Sequence, residues 1–370
     1  MENLLFILMG FVISLLMGMI IIPRVLIISF RKRLFDTPDA RKIHTLPIPR
    51  LGGVTFFPAI LFTMCLLIAS RIILDYKPIS DRDTFSEYLF FLSGLTLLYI
   101  IGIADDLIGV RYRKKFVILI LAALMFPLAG LYINDFYGLF GIHAITPFIG
   151  IPLTLLLVVF ITNAINLIDG IDGLASGLCM VALAVYGIVF AINHQWIYAL
   201  LSFVSIGVII PFFRYNVFGN ASRGRKIFMG DTGSLTLGYI LGFFTIKYCM
   251  HTETTHGAPI LIAFCVLMVP CLDVVRVVFR RLRNRKNPFL PDKTHIHHKF
   301  LAMGFTPRRA LIYIQLMSAT FCAFTIVAMH YLDNTLVLLI DVAVWIGLNV
   351  WFDKVIERKQ DKKEEQPHCP

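Results

Sequence analysis

Charged residues are scarce in this sequence of 370 residues. Only 15% of the residues are Asp, Glu, Lys or Arg, whereas 58% are apolar and the mean hydropathy is +0.79. Soluble globular chains contain about 45–50% apolar and about 25% charged residues, so this chain has too few polar side chains to cover a soluble surface. The composition excludes an ordinary cytosolic enzyme, a disordered regulator and a nucleic-acid-binding protein.

Cysteine motifs and internal repeats are also missing. The seven cysteines show no Cys-x-x-Cys spacing, and most of them lie inside apolar runs, where a thiol behaves as a small hydrophobic group. This pattern favours neither a zinc site nor a disulfide framework. No repeat with a period of roughly 20–50 residues is visible, and nothing indicates a second soluble domain.

Long apolar runs, in contrast, are abundant. A helix needs about 20 apolar residues to cross the hydrocarbon core of a bilayer. The first run has no Lys or Arg before it and no small-residue cleavage site after it, so we expect a membrane span rather than a cleaved signal peptide. We predict an all-α polytopic membrane protein with about eleven transmembrane helices, at 3–23, 52–70, 87–103, 115–133, 148–164, 174–192, 197–213, 233–249, 259–279, 309–329 and 335–352.

Basic residues predict the orientation of these spans. Of the 34 Lys and Arg, 30 lie in one alternate set of loops, at 24–50, 104–115, 214–228, 276–309 and 353–370. Cytoplasmic loops carry the excess of Lys and Arg in membrane proteins, which also accounts for the net charge of +11. We therefore expect the amino terminus outside and the carboxyl terminus in the cytoplasm. Residues 1–352 should form a single membrane domain, and 353–370 a charged, disordered cytoplasmic tail.

Acidic and histidine side chains cluster at the edges of these same loops. Ionisable groups at membrane depth are costly and therefore mark candidate functional sites. Asp105 and Asp106 follow the third span, while Asp169 and Asp172 lie in the segment 163–173. The remaining members are Asp231, within Gly-Asp-Thr-Gly-Ser, and the His-x-His-His motif of His295, His297 and His298.

Each motif alone has a structural alternative. The two Asp-Gly pairs at 169–170 and 172–173 could form a tight turn, Asp231 could cap a helix, and the histidines could be an incidental loop feature or metal site. Asp105 and Asp106 are harder to explain in this way, because two adjacent carboxylates repel each other and need a cation or a proton. Five aspartates on one side of the membrane together indicate a divalent cation.

The residue types indicate the chemistry of that cation. Mg²⁺ prefers oxygen ligands and usually keeps phosphate oxygens as partners, and it neutralises leaving charge in phosphoryl transfer. The Gly-Asp-Thr-Gly-Ser turn opens a helix, whose backbone N–H groups favour phosphates. These features together predict a nucleotide-diphosphate substrate from the cytoplasm and a lipid acceptor in the membrane.

With these loop motifs, the chain resembles the polyprenyl-phosphate N-acetylhexosamine-1-phosphate transferases, of glycosyltransferase family 4 type. All four loop motifs occur in the family's order, and the His-x-His-His motif with its lead-in at 288–292 resembles the N-acetylglucosamine-1-phosphate branch. The resemblance implies transfer of N-acetylglucosamine 1-phosphate from UDP-N-acetylglucosamine to undecaprenyl phosphate, with release of UMP, in the bacterial inner membrane. Another UDP-N-acetylhexosamine or UDP-muramyl-pentapeptide is the alternative donor. The product would initiate a cell-envelope glycan.

The resemblance also implies a role for each motif residue. Mg²⁺, with Mn²⁺ as an alternative, would be bound by Asp231 and Asn166. Asp105 and Asp106 would orient or deprotonate the lipid phosphate, while Asp169 and Asp172 would shape the nucleotide pocket. Phe228 would stack on the base beside Asn216, and the histidines would bind the sugar phosphate. The family's further acid after the Asp pair is Gly109 here, which receives no role, and a homodimer is common among its members.

Two readings from other classes compete with the enzyme. A secondary transporter would hold ionisable groups near the bilayer midplane, where Asp273 is the one acid available. An ion pair between Asp273 and Arg276, at helical i,i+3 spacing, explains that acid equally well. A non-catalytic membrane scaffold does not predict the clustered acids.

Overall fold

Helices form nearly all of the secondary structure in the computed structural model, which describes residues 2–36, 47–76, 79, 81–250, 259–285, 287 and 294–364. Two short strands, β1 (Phe35–Asp36) and β2 (Ile48–Pro49), pair antiparallel. The helices are α1 (Glu2–Lys32), α2 (Phe56–Ile73), α3 (Arg82–Ile108), α4 (Tyr112–Ala123), α5 (Met125–Leu128), α6 (Pro147–Ile168), α7 (Leu174–Ile192), α8 (Trp196–Val217), α9 (Gly230–Cys249), α10 (Pro259–Arg283), α11 (Ile296–Ala302), α12 (Pro307–Ala328) and α13 (Asn334–Glu364).

Local sequence signals set several of these boundaries. Asp81 caps α3 by accepting a hydrogen bond from the backbone N–H of Thr84 at 2.7 Å, as short polar side chains do at helix starts. Gly109 ends the same helix with a φ of +70°, a conformation that glycine adopts without steric cost. Pro147 and Pro307 occupy first-turn positions, where proline's fixed φ suits a helix and its missing N–H has no consequence.

Nine helical segments in the described part of the chain are long and apolar enough to cross a membrane. They are α1, α2 with the 3-10 turn before it, α3, α6, α7, α8, α10, α12 and α13. The prediction of a multi-pass, nearly all-helical membrane protein is therefore confirmed.

The predicted count of eleven spans is not confirmed. The expected span at 115–133 is divided between the 12-residue α4 and the short α5, and neither is long enough to cross a bilayer alone. The expected span at 233–249 corresponds to α9, whose 20 residues include Asp231 and Lys247 and several glycines and threonines. This composition places α9 below the hydropathy of the nine segments.

Helix α9 lies at the centre of the molecule. It packs against α3, α6, α7 and α10, and 16 of its residues are buried. Phe91 of α3, Phe126 of α5 and Tyr239 and Phe243 of α9 form one aromatic group, with ring centroids 4.4 to 5.7 Å apart. A helix enclosed by other helices needs few lipid-facing apolar side chains, which explains its low hydropathy.

The last described helix runs past the apolar span at 335–352. We expected a disordered tail at 353–370, and α13 continues into this segment as far as Glu364, while 365–370 lie outside the described residues. Lys, Glu, Arg and Gln favour a helix. Asp353 and Lys359 of this extension contact Lys299 and Met303.

Candidate functional site

The start of α9 is held by a carboxylate from another helix. Asp106, in the last turn of α3, accepts hydrogen bonds from the backbone N–H groups of Asp231 at 2.8 Å and Thr232 at 3.0 Å. It also accepts the Thr232 hydroxyl proton at 2.6 Å. The first N–H groups of a helix have no partner within the helix, so Asp106 takes the capping role considered for Asp231. Asp231 itself lies in the first turn of α9.

Asp231 and Asp105 share one cation. The ammonium group of Lys115, at the start of α4, forms an ion pair with Asp231 and a second with Asp105 at 3.2 Å. The amide nitrogen of Asn166 donates to Asp231 at 3.0 Å and to the Ser234 hydroxyl at 2.8 Å. Two carboxylates therefore converge on one positive charge, which Lys115 supplies. The divalent cation expected from the five aspartates stays a prediction.

Two glycines allow neighbouring segments to approach the backbone of α9 closely, next to the acidic side chains. Gly102, one turn before Asp106, faces α9 so closely that an added Cβ would lie 2.5 Å from the Thr232 Cα atom. Gly53 approaches the other side of α9, where an added Cβ would lie 2.1 Å from the Gly233 Cα atom. Real side chains do not fit at such distances. Both glycines therefore set how near α3 and the 49–53 segment come to the acidic cluster.

The segment 49–53 was missed by sequence reasoning. Its backbone pairs with the loop before α9: the Phe228 N–H donates to the Pro49 carbonyl at 2.7 Å, and the Gly52 N–H donates to the Phe228 carbonyl at 2.9 Å. Arg50 lies between these contacts and is exposed. The adjacent glycines at 52–53, between a polar loop and an apolar run, were the available signal.

The Asp-Gly pairs form the turn between α6 and α7. Gly173, the residue before α7, has a φ of +79°, and the segment forms a turn between the two helices. Asp172 pairs with Lys226 at 2.5 Å. The Asn216 side chain is buried and links this turn to the loop before α9. Its oxygen accepts a hydrogen bond from the Gly173 N–H at 2.6 Å, and its nitrogen donates one to the Ile227 carbonyl at 2.9 Å. Both ends of this amide are thus occupied by backbone groups.

Asp169, directly after α6, has the most perturbed acid–base behaviour in this turn. Burial, together with the negative charges of Asp172, Asp231 and Asp106, raises its pKa to about 7, although the positive charge of Arg50 opposes the shift. Desolvation and like charges both disfavour a carboxylate. A carboxyl group with a pKa near neutrality is a candidate for proton transfer.

The histidine motif is fixed to α10 through Asp273. The carboxylate of this residue contacts His295 Nδ1 at 2.8 Å, the Ile296 N–H at 3.0 Å and Arg276 at 2.7 Å. The predicted ion pair between Asp273 and Arg276 is therefore confirmed. Arg276 also donates to the Thr294 carbonyl at 2.5 Å, so the start of α11 is held on one side by α10.

This anchoring brings His297 to the acidic turn. An added Cβ at Gly170 would lie 2.1 Å from His297 Nε2, so the imidazole lies directly against the Asp169–Gly170 peptide. Burial and the neighbouring His298 lower the pKa of His297 to about 3. The ring is therefore neutral at physiological pH and can donate or accept a hydrogen bond. The lead-in at 288–292 lies outside the described residues.

Most of the predicted site residues thus lie in one region, at the end of the molecule where α3 ends and α9 begins. We call this end the site end. Residues that sequence reasoning did not select also contribute to it. They are Arg50, Lys115, Lys226 and Thr232. The lysines were treated only as markers of topology, which concealed their pairing with the acids.

The donor set is compatible with Mg²⁺. No group of three or more His, Cys, Asp or Glu side chains is arranged to hold a metal within the part of the chain that the structure describes. Mg²⁺, however, is usually bound by one or two carboxylates plus substrate phosphates. Asp105 and Asp231 already place their oxygens around one positive charge, and Asn166 lies beside them. These oxygens fit a magnesium ion better than a softer metal.

The chain is similar in sequence to known proteins. The family described as Glycosyl transferase family 4 matches residues 88–249. The chain is 31% identical over 356 residues to a Bacillus subtilis (strain 168) protein named a probable undecaprenyl-phosphate N-acetylglucosaminyl 1-phosphate transferase, covering 96% of this chain and 91% of the relative.

Two further relatives carry the name undecaprenyl-phosphate alpha-N-acetylglucosaminyl 1-phosphate transferase. The Escherichia coli (strain K12) protein is 33% identical over 302 residues, covering 80% of this chain and 76% of the relative. The Yersinia pestis protein is 32% identical over 297 residues, with coverage of 79% and 76%. The four ordered loop motifs and the similarity along nearly the whole chain lead to one conclusion: this protein belongs to glycosyl transferase family 4, among the polyprenyl-phosphate N-acetylhexosamine-1-phosphate transferases.

Proposed function

We propose that this protein transfers N-acetylglucosamine 1-phosphate from UDP-N-acetylglucosamine to undecaprenyl phosphate, releasing UMP and forming a lipid-diphosphate sugar. The observation that carries the proposal is the convergence of Asp105, Asp231 and Asp169 beside the neutral His297. An acidic cluster around one cation suits a diphosphate, and the neighbouring imidazole suits a sugar phosphate. The names of the relatives in Bacillus, Escherichia and Yersinia support the same donor and acceptor.

Asp231, Asp105 and Asn166 would hold Mg²⁺ in this reaction. When bound, the metal would neutralise the charge that develops on the phosphate of the departing UMP as the bond between the two donor phosphates breaks. The Lys115 ammonium lies between the two carboxylates, so it would shift toward a phosphate oxygen as the substrates bind. A Lys placed in this way acts as a point charge for phosphate.

The two adjacent aspartates would have different roles. Asp106 directs both carboxylate oxygens at the start of α9, so we assign it the positioning of Asp231. Asp105 faces the shared cation, so we assign it the orientation of the lipid phosphate. Proximity of this kind supplies a large part of the rate enhancement in phosphoryl transfer.

The nucleotide and sugar would lie between the Asp169–Gly173 turn and α11. Asp172 would bind near the base and Phe228 would stack on it, while Asn216 would hold the turn in place. His297 and His298 would contact the sugar phosphate from α11. Arg50, beside Asp169, would face the diphosphate, because a guanidinium binds phosphate oxygens in a bidentate manner.

The site end would face the cytoplasm of a bacterial inner membrane. This orientation rests on the excess of Lys and Arg in the loops at that end. It suits the substrates, since the nucleotide sugar is cytosolic and the polyprenyl chain lies in the bilayer. The product would then initiate a cell-envelope glycan.

UMP release by the detergent-purified protein tests the proposal. We expect UMP only when undecaprenyl phosphate, UDP-N-acetylglucosamine and Mg²⁺ are all present, and a loss of at least about a hundredfold in Asp231→Asn. Release from another UDP-N-acetylhexosamine but not from this one would retain the reaction and change the donor. Folded wild-type protein that releases no UMP with any donor would contradict the enzyme assignment.

A further inference from the structure

The histidine-bearing helix α11 is held on two sides, and only one of them is explained by the site. The first half of α11 is anchored to α10 through Asp273. The second half contacts α13, the helix that ends the described chain. The contacts between α13 and α11 use residues to which the proposed function gives no role.

Lys299 makes the central contact between the two helices. It follows His298 directly, and only 5% of its surface is exposed. Its ammonium group donates to the Asn349 carbonyl at 3.3 Å and to the Asn349 side-chain oxygen at 3.1 Å. It also pairs with Asp353 at 2.8 Å. Three acceptors from one helix thus satisfy a buried charge on the other, as burial of a charge requires.

Two further contacts lie beside this one. The rings of Phe300 and Phe352 are 5.2 Å apart, and both side chains are buried. The Lys359 ammonium donates to the Met303 carbonyl at 2.5 Å. A cation near the last carbonyls of a helix satisfies them and complements the helix dipole.

The four α13 residues in these contacts share one helical face. Asn349 and Asp353 are separated by four positions, while Phe352 and Lys359 are separated by seven, so all lie on adjacent turns of the same side. Asp353 and Lys359 belong to this face because α13 continues as a helix past its apolar part at 335–352. A cavity of about 640 Å³ lies between α10, α11 and α13. The helices are therefore joined there by a few specific contacts rather than by continuous packing.

We propose that the end of α13, residues 349–359, is a positioning element of the donor site. It fixes the second half of α11, as Asp273 fixes the first half, and thereby holds His297 against the Asp169–Gly170 turn. Lys299 and Asp353 are positioning residues in this arrangement, since they act through the neighbouring histidines. The inference rests on the proposed function for the identity of the donor.

Donor kinetics test this inference with Asp353→Asn, which changes an exposed side chain and should leave the protein folded. We expect the KM for UDP-N-acetylglucosamine to rise about threefold to tenfold, because a misplaced binding group weakens the contacts it makes. The KM for undecaprenyl phosphate and kcat should stay within about twofold. Lys359→Met should change the donor KM in the same direction by a smaller factor.

Matched variants separate positioning from general effects of charge. Lys354→Met removes an exposed charge from the neighbouring position on α13 and should leave both KM values and kcat unchanged. Asp353→Glu keeps the negative charge and should have the donor KM of the wild type. The Lys299→Met, Asp353→Asn double variant should be no worse than Lys299→Met alone, because both remove the same ion pair.

Three outcomes would overturn the inference. The first is an unchanged donor KM in Asp353→Asn, the second is an equal rise in Lys354→Met, and the third is additive effects in the double variant. All three require an active wild-type enzyme. They are therefore distinguishable from failure of the proposed function, in which the wild type itself releases no UMP.

Discussion

Helices α3 and α9 carry a cluster of charged side chains at each of their two ends, and the clusters differ in composition. At the site end, Asp105, Asp106 and Asp231 meet one another and Lys115. At the opposite end, Glu87 of α3 meets Lys247 of α9 at 2.8 Å. Glu87 and Asp105 of α3 are 18 residues apart, which corresponds to about 27 Å along a helix and approaches the thickness of a bilayer core.

The opposite end is balanced in charge. Glu87 and Lys247 form one ion pair, the Tyr198 hydroxyl donates to Glu87, and the Lys247 ammonium lies 5.5 Å from the centre of the Tyr198 ring. The two charges of this pair are opposite in sign. Around Asp169 at the site end, by contrast, burial and the negative charges of Asp172, Asp231 and Asp106 outweigh the positive charge of Arg50 and raise the pKa of Asp169. A balanced pair joins helices, whereas an excess of one sign prepares a site for a ligand of the other sign.

The largest effect on activity is expected for Lys115 at the site end, in contrast to Lys247 at the opposite end. Lys115→Met should lower UMP release at least about tenfold, because it removes the cation that two carboxylates share. Lys247→Met should leave the activity of the folded protein within about threefold. Initial rates at saturating substrates, normalised to monodisperse protein, measure both. Equal losses in the two variants would contradict the distinction between the ends.

The next effect concerns backbone approach at the site end. Gly53→Ala should lower activity by about tenfold or more, since the new methyl group would displace the loop from α9 and misplace the acids. Gly347→Ala is the matched control, because an added Cβ at this position of α13 meets no atom within 4 Å. It should retain activity and slightly raise the Tm. Full activity in Gly53→Ala would show that the close packing is dispensable.

Thermal stability tests the ion pair between Glu87 and Lys247 at the opposite end. Glu87→Gln should lower the Tm, because it leaves the partly buried ammonium of Lys247 without its negative partner. The double variant with Lys247→Met should recover part of this loss, since no unpaired charge remains. Thermal unfolding in detergent, followed by light scattering or intrinsic fluorescence, measures the difference. A double variant less stable than Glu87→Gln would contradict a simple pair.

The smallest effect is a pH dependence at Asp169. The folded-state pKa of about 7 lies above the ordinary value of 3.8, so the folded protein loses stability as pH rises from about 4 to about 7. Asp169→Asn cannot ionise and should raise the Tm more at pH 8 than at pH 5. Asp172→Asn, which breaks the ion pair with Lys226, should instead lower the Tm. A Tm gain in Asp169→Asn that is independent of pH would contradict the shift.

The acids and histidines of the site could be predicted from the sequence because each departs from its local surroundings. Asp231 and His297 stand out as ionisable groups next to apolar runs. Lys115 and Lys226 do not, since they belong to basic loops in which many lysines are expected. Gly53 and Lys299 are even less visible, because their importance depends on atoms far away in the sequence.

Helix boundaries show the same division. The apolar runs predicted nine of the spans, because hydropathy is a local property. The α4–α5 region and α9, which were also predicted as spans, are not among the nine segments. The enclosure of α9 by α3 and α6 relaxes the need for apolar side chains.

Composition and motif order by themselves determined the membrane class, the acidic and histidine chemistry and the family of this protein. The tertiary structure alone decided which carboxylate caps α9, which cation the others share, and where the histidine helix is fixed. Asp106 and Asp231 are 125 residues apart in the sequence. Contacts over such separations depend on how helices pack, whereas composition and hydropathy report only what each segment prefers on its own.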